Sequence, residues 1–458
     1  MASSNRLLTV ANRLPVRRTE AGEWKTSPGG LVAAIAPFLR DREGVWVGWT
    51  GEADDAIDSF HHDGINNRVV SLTHSEIDAF YRGFSNGTLW PLYHDCVRPP
   101  EYHRRWWWPY VDVNRRFAEQ AVDEIAESEL VWIHDYQLQL VPAMIRERRP
   151  HARIGFFLHI PFPPIELFAQ LPWRRHILEG LLGADVLGFQ TPQGAANFID
   201  AAMQFTEARQ SDDALRYQGR EIVVEGFPIS IDTPRIEEQA KTAEVLAAAK
   251  TLRENVGAGR KIVLGVDRLD YTKGIDVRLR GYEELLRRDP KLSSECVFVQ
   301  VAVPSREAVA EYQDIRDNVE RAVGRINGEH AKTSRMAVHY LYRNLPFTDL
   351  LAFYSAADVM AITPFRDGMN LVAKEYVAAH SEDSGALVLS EFAGAAHEFR
   401  SGALIVNPHD IDGIASTLEV AIGMDEKEAG QRMKKMKRQV READVHAWAE
   451  SFLKVLDS

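Results

Sequence analysis

The chain has 458 residues, 45% of them hydrophobic and 26% charged, with a net charge of −12. That length exceeds one compact core and suits two domains of roughly 200–250 residues each, with the composition of a soluble globular protein. The acidic balance excludes general nucleic-acid binding, which needs a basic face, and obliges any anionic substrate to be captured by local positive charge against the field of the whole molecule.

Apolar β-rich runs alternate with helical patterns from end to end. Strands are predicted first at Leu7–Ala11, Val45–Gly48, Arg68–Leu72, Leu130–Ile133, Arg153–Leu158 and Val186–Phe189. Helical runs are expected at Leu31–Leu39 and Val113–Ala126. No apolar leader precedes Leu7, and no run of about 18 apolar residues occurs, so no membrane span is expected and the cytoplasm is the default compartment. Two cysteines, Cys96 and Cys296, stand far apart and allow neither a disulfide framework nor a cysteine-rich metal site. The stretch Phe227–Pro234, with prolines at 228 and 234, reads as a connector, followed by a charged helix from Arg235 to about Val256. Further strands are predicted at Lys261–Val266, Val297–Val303, Ala337–Leu341, Val359–Ile362, Ala386–Leu389 and Ala403–Val406, with helices at Ile275–Arg288 and Arg306–Ile326. A last amphipathic helix, His446–Leu456, follows the polar stretch Lys427–Arg441.

Near-continuous apolar strands alternating with helices predict an α/β fold: two doubly wound domains, each a parallel sheet covered on both faces. The expected boundaries are 1–230 and 231–444, with the helix of 445–458 packing back on the first domain. Ligands of such sheets sit at the carboxyl ends of the strands, so two domains facing each other would form a deep cleft.

The polar residues at the predicted strand ends carry the chemistry. Arg13 follows the first strand. Gly29-Gly30 opens the run Leu31–Leu39, either as a plain turn or as a close backbone approach to a phosphate or sugar. Tyr81 to Pro91, with Trp90, is either a packed surface loop or a sugar-stacking surface; Trp106-Trp-Trp108 reads as packing. Asp135 and His159 each end a strand, and Arg306 follows another. Arg268 and Lys273 share one strand-to-helix loop with Asp270, their potential ion-pair partner. In Thr363–Tyr376 an apolar strand ends in Arg366, Asp367, Gly368 and Asn370, and a helix starts at once. Unpaired amides and the helix dipole favour an anion there, and Glu375, one turn in, is an acceptor suited to ribose hydroxyls. Asp410-Ile-Asp412 has the D-x-D spacing of metal-dependent nucleotide-sugar enzymes, but it opens a helix, where carboxylates need no metal. No dinucleotide fingerprint, Walker A string, nucleophile elbow or His/carboxylate ligand set is present.

These residues together resemble the trehalose-6-phosphate synthase family of retaining glycosyltransferases, from about Leu8 to about Asp412. The strings that carry the resemblance are Phe84-Ser-Asn…Leu-Trp-Pro91, Trp132-Ile-His-Asp-Tyr136, Gly155-Phe-Phe-Leu-His-Ile-Pro-Phe-Pro163, Asp267-Arg-Leu-Asp-Tyr-Thr-Lys-Gly274, Arg366-Asp-Gly-Met-Asn-Leu-Val-Ala-Lys-Glu-Tyr376 and Ser390-Glu-Phe-Ala-Gly-Ala-Ala396. The loop Pro15–Pro28 and the segment Asp95–Tyr110 depart from some members. The resemblance implies a GT-B architecture of two Rossmann-like domains, with the acceptor mainly on the first and the nucleotide sugar mainly on the second. It implies transfer of glucose from a nucleoside diphosphate, UDP-glucose foremost, to glucose 6-phosphate, with trehalose 6-phosphate as product. By position, Arg13, Tyr81, Trp90, Asp135 and Arg306 match the acceptor site. Gly30, His159, Arg268, Lys273, Asp367, Met369, Asn370, Leu371, Val372 and Glu375 match the donor site, and His159, Arg268, Lys273 and Asp367 are the catalytic candidates.

The family implies no cofactor and no essential metal: the leaving diphosphate accepts the acceptor's proton on one face of the sugar. The expected partners are small-molecule substrates and further copies of the chain, as a dimer or tetramer, with neither nucleic acid nor membrane. No appended phosphatase domain is visible, so the product is expected to keep its phosphate. A sister transferase acting on glycerol 3-phosphate or a cyclitol phosphate is the nearest alternative. A non-catalytic sugar-phosphate sensor would have lost His159, Arg268, Lys273 or Glu375, and all four are present. The donor base is open among uracil, adenine and guanine, with Arg343–Phe347 the candidates for its pocket.

Overall fold

The apolar runs become strands buried along nearly their whole length, as parallel sheets covered on both faces require. The structure is a computed structural model that describes residues 6–19, 22–27, 30–40, 44–125, 130–211, 214–305, 310–332, 335–380 and 384–458. The chain divides into two compact units, Met1–Ile229 with Val445–Ser458, and Ser230–Asp444.

In the first unit a ten-stranded sheet runs Arg209–Ser211, Ala214–Tyr217, Arg220–Gly226, Val186–Phe189, Arg153–Phe157, Leu130–His134, Leu7–Arg13, Val45–Trp49, Ile65–Val69 and Phe60–His62. The seven strands between its antiparallel edges are parallel. Their order reverses direction between Leu7–Arg13 and Leu130–His134, which therefore flank the crevice where such sheets bind ligands. The second unit holds six parallel strands in the order Val338–Tyr342, Cys296–Val303, Lys261–Arg268, Val359–Ile362, Ala386–Ser390 and Leu404–Val406. Here the reversal falls between Lys261–Arg268 and Val359–Ile362.

The final helix, Val445–Asp457, packs on the first unit's sheet. Two glycines make its seat: a Cβ on Gly155 or Gly188 would lie 2.6 or 2.7 Å from the Phe452 ring. Phe452 stacks on Trp132 at 4.6 Å, and Trp448 Nε1 donates to the Phe227 carbonyl at 3.1 Å.

Several elements differ from the sequence expectation. The strand expected at Arg68–Leu72 lies at Ile65–Val69, because Asn67 is buried and satisfies its amide on the Ile65 carbonyl, while Thr73 caps the next helix. Tyr81–Pro91 is not a loop but part of a widened helix, Ile77–Leu89, that continues into Trp90–Tyr93. The charged helix after residue 234 is two, Thr233–Ala240 and Ala243–Leu252, broken where Thr242 caps the second. Of the three tryptophans read as packing, Trp107 is buried and stacks on Trp173, but Trp108 is 65% exposed.

Candidate functional site

The second unit's reversal point brings together the two loops that the sequence singled out. The strand Lys261–Arg268 runs into the turn Tyr271–Lys273 and then the helix Ile275–Arg288. Gly274 makes that junction at φ +59, and a Cβ there would strike the Thr363 carbonyl at 2.1 Å, so only glycine lets the loops meet this closely. Lys273 Nζ reaches Asp367 Oδ2 across the junction at 2.6 Å. Asp270, a potential ion-pair partner of these cations, is buried, accepting from the Thr272 amide and the Tyr312 hydroxyl.

Asn370 binds the same Asp367 oxygen at 3.1 Å and, at φ +88, caps the helix Leu371–Ala379 by accepting from the Ala373 amide. Leu371 and Val372 therefore supply the first amides of a helix whose cap, Asn370, shares the Asp367 carboxylate with Lys273. The 390s hold the loop from behind: Ser390 Oγ donates to the Pro364 carbonyl, the Gly394 amide to Asp367 and the Ala395 amide to Met369. A Cβ on Gly394 would lie 2.0 Å from the Gly368 carbonyl. Glu375 Oε2 accepts from the Tyr354 hydroxyl at 2.9 Å, and burial raises its pKa against that hydrogen bond. Arg268 is the last residue of its strand and is exposed.

Beneath both loops lies a residue that the sequence reading passed over. Arg278 is fully buried, pairs with Asp267 at 2.7 Å and donates to Thr363 Oγ1, Gln300 Oε1 and the Lys273 carbonyl. Burial pushes the Asp267 pKa up, opposed by Arg278 and Lys273. An arginine one turn into an amphipathic helix carries no sequence sign of such a role.

The first unit has its own cluster at its reversal point. The Arg13 guanidinium lies over the Trp49 ring at 4.0 Å and 5.9 Å from the Tyr81 ring, which meets Trp49 edge-on. Trp49 was not singled out from the sequence. Asp135, at φ +76, accepts from the His159 amide at 3.2 Å, so the two strand ends are linked. His159 Nε2 lies 3.2 Å from His134 Nδ1, and burial holds His159 down to about 3. Trp90 is 5% exposed and packs on His94 and Tyr136. Gly30 opens the helix Gly30–Arg40. Arg306 lies outside the described residues. Arg343–Phe347 follow the edge strand Val338–Tyr342 of the second sheet.

Asp410 caps its helix on the Gly413 amide and Asp412 pairs with Arg288. Among the described residues no group of three His, Cys, Asp or Glu side chains is placed to hold a metal ion, and no helix is long and apolar enough to cross a membrane.

Residues 4–458 match the family described as glycosyltransferase family 20. The chain belongs to that family. Trehalose-6-phosphate synthase of Mycolicibacterium smegmatis is 50% identical over 469 residues, covering 100% of this chain and 93% of the relative. A UDP-forming α,α-trehalose-phosphate synthase from Burkholderia vietnamiensis superposes with a TM-score of 0.93 at 37% identity, over 99% of this chain and 97% of that one. The corresponding enzyme of Burkholderia xenovorans, solved in complex with glucose 6-phosphate, gives a TM-score of 0.91 at 36% identity, over 99% and 100%. This family 20 chain is thus a glycosyltransferase with the GT-B fold.

Proposed function

We propose that the chain is a retaining α,α-trehalose-phosphate synthase, which moves glucose from a nucleoside diphosphate, UDP-glucose foremost, to the anomeric hydroxyl of glucose 6-phosphate. The observation that carries this reading is the meeting of Lys273, Asp367 and a capped helix start at the second sheet's reversal point. An ammonium has three N–H donors. One serves Asp367, and the others can serve a diphosphate beside Arg268 and the amides of Leu371 and Val372. Such preorganised donors stabilise the charge that grows on a leaving group.

In the proposed step the C1–O bond to the diphosphate breaks, the C1–O bond to the acceptor forms on the same face, and the acceptor's proton passes to a departing phosphate oxygen. Cationic side chains and helix amides supply the counter-charge, so no metal or cofactor is required. Asp367, Met369 and Asn370 are assigned to the glucosyl group, and the family resemblance assigns Gly30 and His159 to the donor. Glu375, held by Tyr354, is assigned to the ribose. Arg13 with Tyr81, Asp135 and Trp90, joined by Arg306, is assigned to the acceptor; a bidentate arginine selects a phosphate over a hydroxyl. The proposal places the enzyme in the cytoplasm as a dimer or tetramer without nucleic-acid or membrane partners, and sedimentation tests the assembly.

The test of function is incubation with UDP-, ADP- or GDP-glucose and either glucose 6-phosphate or glucose, with products identified by NMR. Trehalose 6-phosphate with both anomeric centres α, and little product from free glucose, is expected. A β linkage, or equal use of the two acceptors, would overturn the assignment.

A further inference from the structure

His134 is the last residue of the strand Leu130–His134 and is fully buried. The sheet register sets it opposite Phe157, two residues before His159. Its Nδ1 lies 3.2 Å from His159 Nε2. The rings of Phe157 and Trp448 close round His159 at 4.7 and 6.2 Å, so the final helix forms part of the same wall.

Two imidazoles at this distance share one hydrogen, and one ring must donate while the other accepts. Burial keeps both neutral, and each would repel charge on the other. The direction of the bond follows from the far side of His134. Its Nε2 is buried with no partner among the described residues, and so is the indole Nε1–H of Trp132, whose ring lies 4.8 Å away. A proton on His134 Nε2 would add a second orphan donor to that pocket. Orphaned buried N–H groups are rarer than under-satisfied acceptors. A proton on Nδ1 is instead hydrogen-bonded to His159.

We infer that His134 is a positioning residue: its Nδ1–H fixes His159 with a bare Nε2, which leaves the Nδ1–H of His159 as the hydrogen bond it can offer a ligand. The inference rests on the reading that His159 meets the donor sugar. It deepens that reading by giving His159 the part of a neutral donor rather than a base or a cation.

The test uses the full chain labelled with 15N-histidine. At neutral pH the spectrum should show His159 protonated at Nδ1 and bare at Nε2; the opposite tautomer would overturn the inference. Two variants separate positioning from packing. His134→Phe keeps a ring but has no donor, while His134→Asn keeps an amide N–H near the place of Nδ1. His134→Phe should lower kcat about tenfold, the rate equivalent of one hydrogen bond, with the KM for glucose 6-phosphate unchanged. His134→Asn should restore most of that loss. Equal turnover in the two variants, or an unchanged His159 tautomer in His134→Phe, would refute the role. If His134→Phe does not fold, the wild-type spectrum alone decides. A fully active His159→Ala would instead sink the reading of His159 as a donor-site residue, whatever its tautomer.

Discussion

Replacing Lys273 by methionine keeps most of the length of the side chain and removes its charge. Two losses follow. The first is a charged donor to the departing diphosphate, commonly worth about 10²–10³ in kcat, or about 3–4 kcal/mol. The second comes from Asp367, whose carboxylate sits 2.6 Å from the ammonium and would be left facing the diphosphate. Two like charges about 5 Å apart at an effective dielectric of about 20 repel by about 3 kcal/mol. The single variant should therefore lose at least about 10²–10³ in kcat, measured as nucleotide release at saturating glucose 6-phosphate. Adding Asp367→Asn removes the repulsion and keeps a partner for the Asn370 amide, so the double variant should exceed the single by about tenfold or more. The fold should survive: both side chains keep 13% exposure, which places the stability cost below the about 3–5 kcal/mol of a fully buried pair. Lys273→Met with near-normal turnover, or a double variant no faster than the single, would show that Lys273 and Asp367 do not act on the diphosphate in this way.

Arg278→Met strands the Asp267 carboxylate in the interior and should cost about 3–5 kcal/mol in chemical denaturation, partly recovered by adding Asp267→Asn; a loss below about 1 kcal/mol would mean that the network does not hold the two loops. Glu375→Gln should raise the KM for the nucleotide sugar by about tenfold with a smaller effect on kcat, and an unchanged KM would remove Glu375 from the ribose. Burial holds His159 and His380 down to about 3 and His134 well below its ordinary value. The unfolded chain protonates these rings near about 6.5, so it binds more protons than the folded chain between about 6.5 and about 3. Stability present above about 6.5 should thus fall with pH through that window, by about 1.4 kcal/mol per unit for each ring that stays neutral. His380→Phe should flatten the slope of thermal stability against pH; an identical slope would contradict the assignment.

Much of the fold was legible because its signals are local. The helix Ile275–Arg288 begins and ends where the sequence placed it and Leu371–Ala379 begins where the sequence placed it, each marked by an apolar period and a Gly or Asn at its start. What failed was non-local or disguised. Ile65–Val69 hides behind two asparagines, one of them buried with its amide N–H on the Ile65 carbonyl of the same strand. The edge hairpin strand Ala214–Tyr217 turns into Arg220–Gly226 at Gln218-Gly219, a pair with positive φ that is a weak hairpin signal in sequence. At the site, strand ends gave the position of Lys273, Asp367, Asp135 and His159. Their partners came from sheet register and helix facing: Tyr354 on Glu375, Trp49 under Arg13 and His134 on His159. Residues so far apart in the chain show no spacing that links them.

A sugar diphosphate should be held at the reversal point of the second sheet by cations and a helix start, without a metal. A crystal structure with UDP bound, grown with a chelator, tests it most directly. Diphosphate oxygens are expected within hydrogen-bonding distance of Lys273, Arg268 and the amides of Leu371 and Val372. A diphosphate bound elsewhere on the chain, or bound only when a divalent ion is restored, would contradict it.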